Sequence, residues 1–275
     1  MVIGMNIKRW IRGKIEKVKN NNNQKYYELH KDEYPIEQFK AKYLGQKCFI
    51  IGNGPSLLGE DLDKIHKKGY VTFASNKVYR IFQKTNWRPT YVTIADPQFI
   101  RDNTVLAKIV DTHPEMLFVR SQFAKDVRNC KCNICAINSE YDRSLLDNPK
   151  FSMRCDEIIY DIATVTYFSI QLAAYMGFDE IYLLGMDNRY AYSMLRNGTV
   201  IRNEGVANYF GENNIVMPSP DSAVATWEMD VAYGYAEKYS REHGFRIFNA
   251  TRGGFLETFE RANLEDVLSA NNNPI

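Results

Sequence analysis

Polar residues follow apolar runs at five places: Asn53 after KCFIIG, Asn76 after YVTFAS, Asp96 after TYVTIA, Asp187 after EIYLLGM and Asn249 after FRIF. Amides donate and accept, and carboxylates accept or ligate, so such residues suit a polar ligand of nucleotide type. One of them is ordinary turn chemistry; five together read as a site. The first carries the most detail. In Gly52-Asn53-Gly54-Pro55-Ser56 two glycines allow positive φ and close backbone approach, and Pro and Ser suit a helix opening. N–H groups pointing out of such a turn would receive a phosphate. The same letters also describe a plain strand-to-turn junction, and Gly-x-Gly by itself leaves both readings open.

Two nucleotide motifs are excluded. Gly54 to Glu60 has phosphate-loop spacing, but Glu60 stands where a Lys must meet the phosphates. The dinucleotide fingerprint fails because Leu57 follows Ser56 and the second strand ends in Asn76 instead of an acid. Cys130, Cys132 and Cys135 lack a fourth ligand at zinc spacing, so no metal is expected. His30, His66, His113 and His243 are scattered and read as structural.

The elements that must position these residues alternate. Six apolar β-rich runs separated by helical patterns predict an α/β fold with a doubly wound, mainly parallel, Rossmann-like sheet, whose ligands sit beyond the carboxyl ends of its strands. Ala163 to Met176 reads as an apolar helix ending at Gly177, and Ser222 to Arg241 as a second, capped by Asp221 and stopped by Gly244. The stretch 188–220 between them is long and irregular and reads as a lid.

The 275 residues, 45% hydrophobic, are read as one catalytic domain over 25–270, preceded by a segment at 1–24 and followed by a tail at 271–275. A net charge of +2 argues against a nucleic-acid partner. Five cysteines, an odd number, without a signal peptide indicate reduced thiols and a cytoplasmic location. Near the N-terminus Ile7, Ile11, Ile15 and Val18 recur at helical spacing among six Lys and Arg, which describes a helix lying on the inner face of the cytoplasmic membrane or docked on the domain. Asn20 to Gln24 then read as a linker. The 18 Tyr and 15 Phe suit a core and a subunit interface alike, so an oligomer stays open.

With IIGNGPSL, ASNKVY, TVTYFSIQLAAYMGFDEIYLLGMD, ANYFGE and IFNATRGGFLETFER in order, residues 47–268 resemble the bacterial sialyltransferases of glycosyltransferase family 42. The wider group includes flagellin-modifying nonulosonic acid transferases and 6-hydroxymethylpterin diphosphokinases. The resemblance implies a GT-A-variant fold with no cofactor. It implies nucleotide binding by Asn53 and Asn76, with Gly52, Gly54 and Ser56 beside them. Thr164 and Thr166 before the long helix, and Asp187, belong to the same set. Tyr190 and Tyr192 would donate to the departing phosphate. The sialyltransferase base is the His of Tyr-x-Gly-His; here the segment reads Tyr209-Phe210-Gly211-Glu212, which leaves Glu212 as a base or as a solvated loop residue.

The resulting expectation is a metal-independent glycosyltransferase that moves a sialic acid-type sugar from a CMP-sugar donor to a glycan or lipid-linked glycan acceptor. Two alternatives stand beside it. One is an ATP- and Mg²⁺-dependent diphosphokinase with Asp96 and Asp187 as metal ligands; the other is a non-catalytic nucleotide-binding member of a polysaccharide assembly.

Overall fold

The structure, a computed structural model, describes residues 18–210, 220 and 223–270. Its strands are β1 (Lys47–Ile51), β2 (Val71–Ser75), β3 (Tyr91–Ile94), β4 (Met116–Arg120), β5 (Ile134–Ile137), β6 (Ser139–Glu140), β7 (Ile159–Tyr160), β8 (Glu180–Leu184), β9 (Tyr192–Met194), β10 (Val200–Arg202), β11 (Arg246–Asn249) and β12 (Glu260–Arg261). Eight of them form one sheet in the order β12-β11-β8-β1-β2-β3-β4-β5, and every pair is parallel. The expected α/β, doubly wound sheet is therefore present.

A parallel sheet must be covered on both faces, and β1 shows how its sequence meets that demand. Cys48 and Ile50 enter one core with Tyr167, Phe168 and Phe178. Phe49 and Ile51 enter the other with Leu62 and Ile65 of the helix Gly59–Lys67. The helix Val165–Tyr175 is buried at ten successive positions from Thr166, which explains its lack of a polar stripe: the sheet lies on one side and the helix Thr226–Glu242 on the other. Cys48, Cys135 and Cys155 are buried thiols of these cores, and Cys130 and Cys132 are half-buried.

Four sequence readings change. The helix expected from Ser222 begins at Thr226, after Ala225, which supplies no side-chain cap. The run Asn20–Gln24, read as a linker, is helical within 18–30, because Asn23 Oδ1 accepts the Lys125 N–H at 3.0 Å and Gln24 Oε1 accepts the Ser121 hydroxyl at 2.6 Å. Such tertiary bonds override the poor helix propensity of Asn. The stretch read as irregular holds a hairpin, with β9 antiparallel to β10 and Ser193 bridged to Val224. The GNGPS turn opens its helix only at Gly59, three residues beyond Ser56. The basic pattern at 1–17 and the tail at 271–275 lie outside the described residues. No helix among the described residues is long and apolar enough to cross a membrane.

Candidate functional site

Strand order reverses beside β1: β2 to β5 extend on one side, while β8, β11 and β12 extend on the other. The chain therefore diverges at the carboxyl ends of β1 and β8, where a crevice opens in folds of this class. An open cleft of about 1440 Å³ lies there. Gly52, Asn53, Gly54, Asn76, Thr164, Thr166, Asp187 and Tyr190 all line it, as does Asp96. Ser56 and Tyr192 do not, and Glu212 lies outside the described residues.

The glycines of the first turn serve a different approach from the one expected. A Cβ on Gly52 would collide with the Gly185 carbonyl, and one on Gly54 with the Asp187 carboxylate and, at 2.7 Å, with Gly185 O. What comes close is the loop after β8. Gly54 N donates to Gly185 O at 3.0 Å, Ser56 Oγ to Asp187 Oδ2 at 2.8 Å, and Ser56 N to the same oxygen at 3.4 Å. Those N–H groups, expected to face a phosphate, are spent inside the protein. Burial raises the Asp187 carboxyl above its usual value, while the Ser56 bonds pull it down.

The FNATRGG segment supports the same loop from behind. Asn249, counted among the site residues from sequence, is fully buried and lies off the cleft. Its Nδ2 donates to Leu256 O at 2.7 Å and its Oδ1 accepts the Thr251 N–H at 3.0 Å, so it closes its own turn. Thr251 Oγ1 in turn accepts the Met186 N–H at 3.0 Å, and Phe255 N donates to Asp187 O at 2.8 Å.

Two asparagines face the cleft differently. Asn53 Nδ2 donates to Ser75 O at 3.0 Å, tying the ends of β1 and β2 together. Asn76 has φ +52, a left-handed conformation that Asn tolerates better than most residues, and its buried Oδ1 has no partner among the described residues. Asn188, not singled out from sequence, repeats the arrangement: φ +50, a buried Oδ1 without a described partner, and Nδ2 donating to Asp230 Oδ1 at 2.9 Å.

Hydroxyl donors line the same cleft. Thr164 caps the helix Val165–Tyr175 by accepting the Thr166 N–H at 3.3 Å. Thr166 Oγ1 rests on Met186 Sδ at 3.7 Å, and the half-buried Tyr190 hydroxyl on Met229 Sδ at 3.8 Å. Thioether sulfur is a weak acceptor, so the Tyr190 hydroxyl would exchange it for a phosphate oxygen, whereas the Thr166 hydroxyl also bonds the Tyr233 phenol. Burial pushes the Tyr190 phenol up, which keeps it protonated and able to donate. Tyr192 instead belongs to β9, where its carbonyl accepts the Val224 N–H at 3.0 Å.

Farther along the cleft, Arg120 at the end of β4 and Asp161 after β7 form a buried pair, Nη1 to Oδ2 3.1 Å. Burial outweighs the guanidinium and pushes the Asp161 carboxyl up to about 6. The sequence signal for this pair was a single Arg closing the apolar run MLFVR. None of the four histidines lines the cleft. His30 and His243 stack on Tyr26 and Tyr239 and bond the carbonyls of those same residues. Among the described residues, no three of His, Cys, Asp and Glu gather as a metal cage.

No curated protein matches the chain. Solved structures aligned with it include the MAf glycosyltransferase of Magnetospirillum magneticum AMB-1, at 15% identity and a TM-score of 0.49 over 82% of this chain and 34% of that one. Another is UDP-glucose 4-epimerase of Thermotoga maritima, at 11% identity and a TM-score of 0.25 over 74% and 54%. The chain thus spans about a third and about half of those two proteins, and overlaps this loose carry no chemistry across. A protein family does match, from residue 20 in the first helix to residue 193 in β9, and so includes the crevice between β1 and β8. It is the diphosphokinase-named branch of the group that the sequence resembles. By that match over well more than half of its length, the chain belongs to the 6-hydroxymethylpterin diphosphokinase MptE-like family.

Proposed function

We propose that the protein is a glycosyltransferase that moves a nonulosonic, sialic acid-type sugar from a CMP-activated donor to a hydroxyl of a glycan acceptor. The observation that carries the reading is that two kinds of unmet polar atom, amide acceptors and a phenol donor, line one crevice. The Oδ1 atoms of Asn76 and Asn188 are buried acceptors that call for donors, which a cytosine amine and sugar hydroxyls supply. Tyr190 is a donor resting on sulfur that calls for an acceptor, which a phosphate oxygen supplies, while the Thr166 hydroxyl beside it is shared between Met186 Sδ and the Tyr233 phenol.

In this reading CMP departs from the sugar and negative charge grows on its phosphate. Fixed hydroxyl donors stabilise that charge more than they stabilise the bound donor, which lowers the barrier. Glu212 is assigned to take the proton of the acceptor hydroxyl, and the basic first residues to hold the protein against anionic lipid where a lipid-linked acceptor lies.

A second reading follows from the family's name: transfer of pyrophosphate from ATP to a small alcohol with Mg²⁺. The candidate ligands Asp96 and Asp187 come as separate carboxylates, each already engaged, Asp96 by the Gln98 N–H at 2.8 Å and Asp187 by Ser56. A metal there would be held largely by substrate phosphates.

Thermal denaturation with CMP, CDP, CTP, ATP and GTP, each with Mg²⁺ or EDTA, separates the two. A ligand at a hundred times its Kd stabilises by about 2.7 kcal/mol, a shift of a few degrees. CMP stabilisation that survives EDTA is expected. Stabilisation by ATP with Mg²⁺ alone overturns the glycosyltransferase reading in favour of the diphosphokinase.

A further inference from the structure

The cleft exceeds the roughly 300–1,000 Å³ of a typical single-ligand site, at about 1440 Å³. Its nucleotide end, around β1, β2 and β8, leaves a second end beyond β4 and β7 that the nucleotide does not need. That end is walled by the helix at 18–30 and by Arg120, Tyr141 and Asp161.

Most of this wall is internally satisfied, and so held in place. Gln24 accepts from Ser121, and Gln122 exchanges two hydrogen bonds with Ser139, Nε2 to O at 2.7 Å and Oγ to Oε1 at 2.8 Å. On this wall two atoms have no partner among the described residues: Asn20 Oδ1, a buried acceptor, and Arg120 Nε, a buried donor. A hydroxyl group answers both, because it donates and accepts. Arg120 itself is fixed between two rings, its guanidinium 4.6 Å from the Phe123 centroid and 4.7 Å from that of Tyr141. Tyr141 is 67% exposed, an aromatic plate at the cleft that meets Arg120 and leaves most of its surface open.

Charge narrows the ligand. The buried guanidinium is already neutralised by Asp161 at 3.1 Å, so this end attracts a second phosphate weakly and accepts a neutral, many-hydroxyl molecule without a desolvated charge. An aromatic plate flanked by unmet donor and acceptor atoms is the chemistry that holds a sugar ring. We propose that the end of the cleft formed by Asn20, Arg120 and Tyr141 is the carbohydrate subsite for the acceptor, an inference that rests on the glycosyltransferase reading.

The test uses the full chain, fluorescently labelled, on an array of neutral oligosaccharides with CMP present, and records the CMP-induced thermal shift of each protein in parallel. Wild type is expected to bind a subset of glycans. Tyr141→Ala and Asn20→Ala should lose at least tenfold in apparent affinity, and Tyr141→Phe, which keeps the plate, should retain it. Tyr141 is exposed, so its variants fold; Tyr141→Ala gives up the ring contact with Arg120 and melts slightly lower, while Tyr141→Phe keeps that contact and the parent melting temperature. Glycan binding indifferent to Tyr141→Ala and Asn20→Ala overturns the subsite, as does an array with no bound glycan. Tyr141-dependent glycan binding without any CMP shift upholds the subsite and removes the CMP donor, so the two ideas fail separately.

Discussion

The Ser56 hydroxyl donates to Asp187 Oδ2 over 2.8 Å, and this bond locks the loop after β1 to the loop after β8 across the switch point of the sheet. Gly54 lies beneath the locked carboxylate with no room for a methyl group. Its identity is demanded by this packing, independently of any ligand.

Gly54→Ala should therefore destabilise the fold by about 1–3 kcal/mol, the usual cost of overpacking a closed contact. Gly234 is the control. It lies in the helix Thr226–Glu242 with nothing within 4 Å of the place a methyl group would take, so Gly234→Ala should stabilise by about 0.5–1 kcal/mol through lower unfolded-state entropy. Urea denaturation of the two variants checks both signs; a neutral Gly54→Ala would mean that the loops part easily.

Asn76→Gly isolates a ligand contact from backbone strain. Glycine takes φ +52 more readily than Asn, so the variant should fold with unchanged or slightly higher melting temperature. It removes the amide whose Oδ1 has no described partner, and nucleotide affinity should fall by about 1–3 kcal/mol, the cost of leaving a buried polar group of the ligand unpaired. Isothermal titration with CMP reads the change. Equal affinity in wild type and variant would take Asn76 out of the site.

The sheet was legible wherever a strand is buried on both faces, because runs such as CFII and YLL have no polar register. β12, the exposed pair Glu260–Arg261, has no such signal; it exists only because β11 offers Phe248 and Asn249 as partners. The site was legible as polar residues after strands, but that signal is the same for Asn53, whose amide ties two strand ends at the cleft, and for Asn249, whose amide closes a buried turn. Only the third dimension separates them. Arg120, Asp161 and Asn20 were missed because their meeting depends on chain segments far apart in sequence, with no shared motif.

Asp161 gives a pH signature. Its carboxyl is pushed up to about 6 from the ordinary 3.8, so the folded chain holds this proton more tightly than the unfolded one. A group raised in this way favours folding fully below pH 3.8 and loses that contribution as pH climbs through 6. Asp161→Asn lacks the titration. The melting temperature of the variant minus that of wild type should thus become more positive between pH 4 and pH 6 and level off above, with all other carboxylates cancelling in the difference. A flat difference across that range would return Asp161 to an ordinary value.

Gln171 tests how the far wall is positioned. This fully buried amide accepts the Ser152 N–H at 3.0 Å and the Tyr160 N–H at 3.1 Å through Oε1, and donates to Tyr160 O at 2.6 Å through Nε2. It clamps β7 onto the helix Val165–Tyr175 one residue before Asp161 and four before Thr164. Leucine matches its size but satisfies none of these groups, and each buried unpaired group costs about 1–3 kcal/mol, so Gln171→Leu should cost at least about 3 kcal/mol in urea denaturation. Gln171→Glu separates polarity from shape: its carboxylate keeps the two accepted bonds and loses the donated one, so it should destabilise less near pH 5, where a buried acid can carry a proton back to Tyr160 O, than at pH 8. Amide exchange at Asp161 and Thr164 should quicken in Gln171→Leu while exchange in β1 and β2 rises only with global stability. Uniform acceleration across the sheet would show that Gln171 serves the core as a whole and does not position the cleft wall.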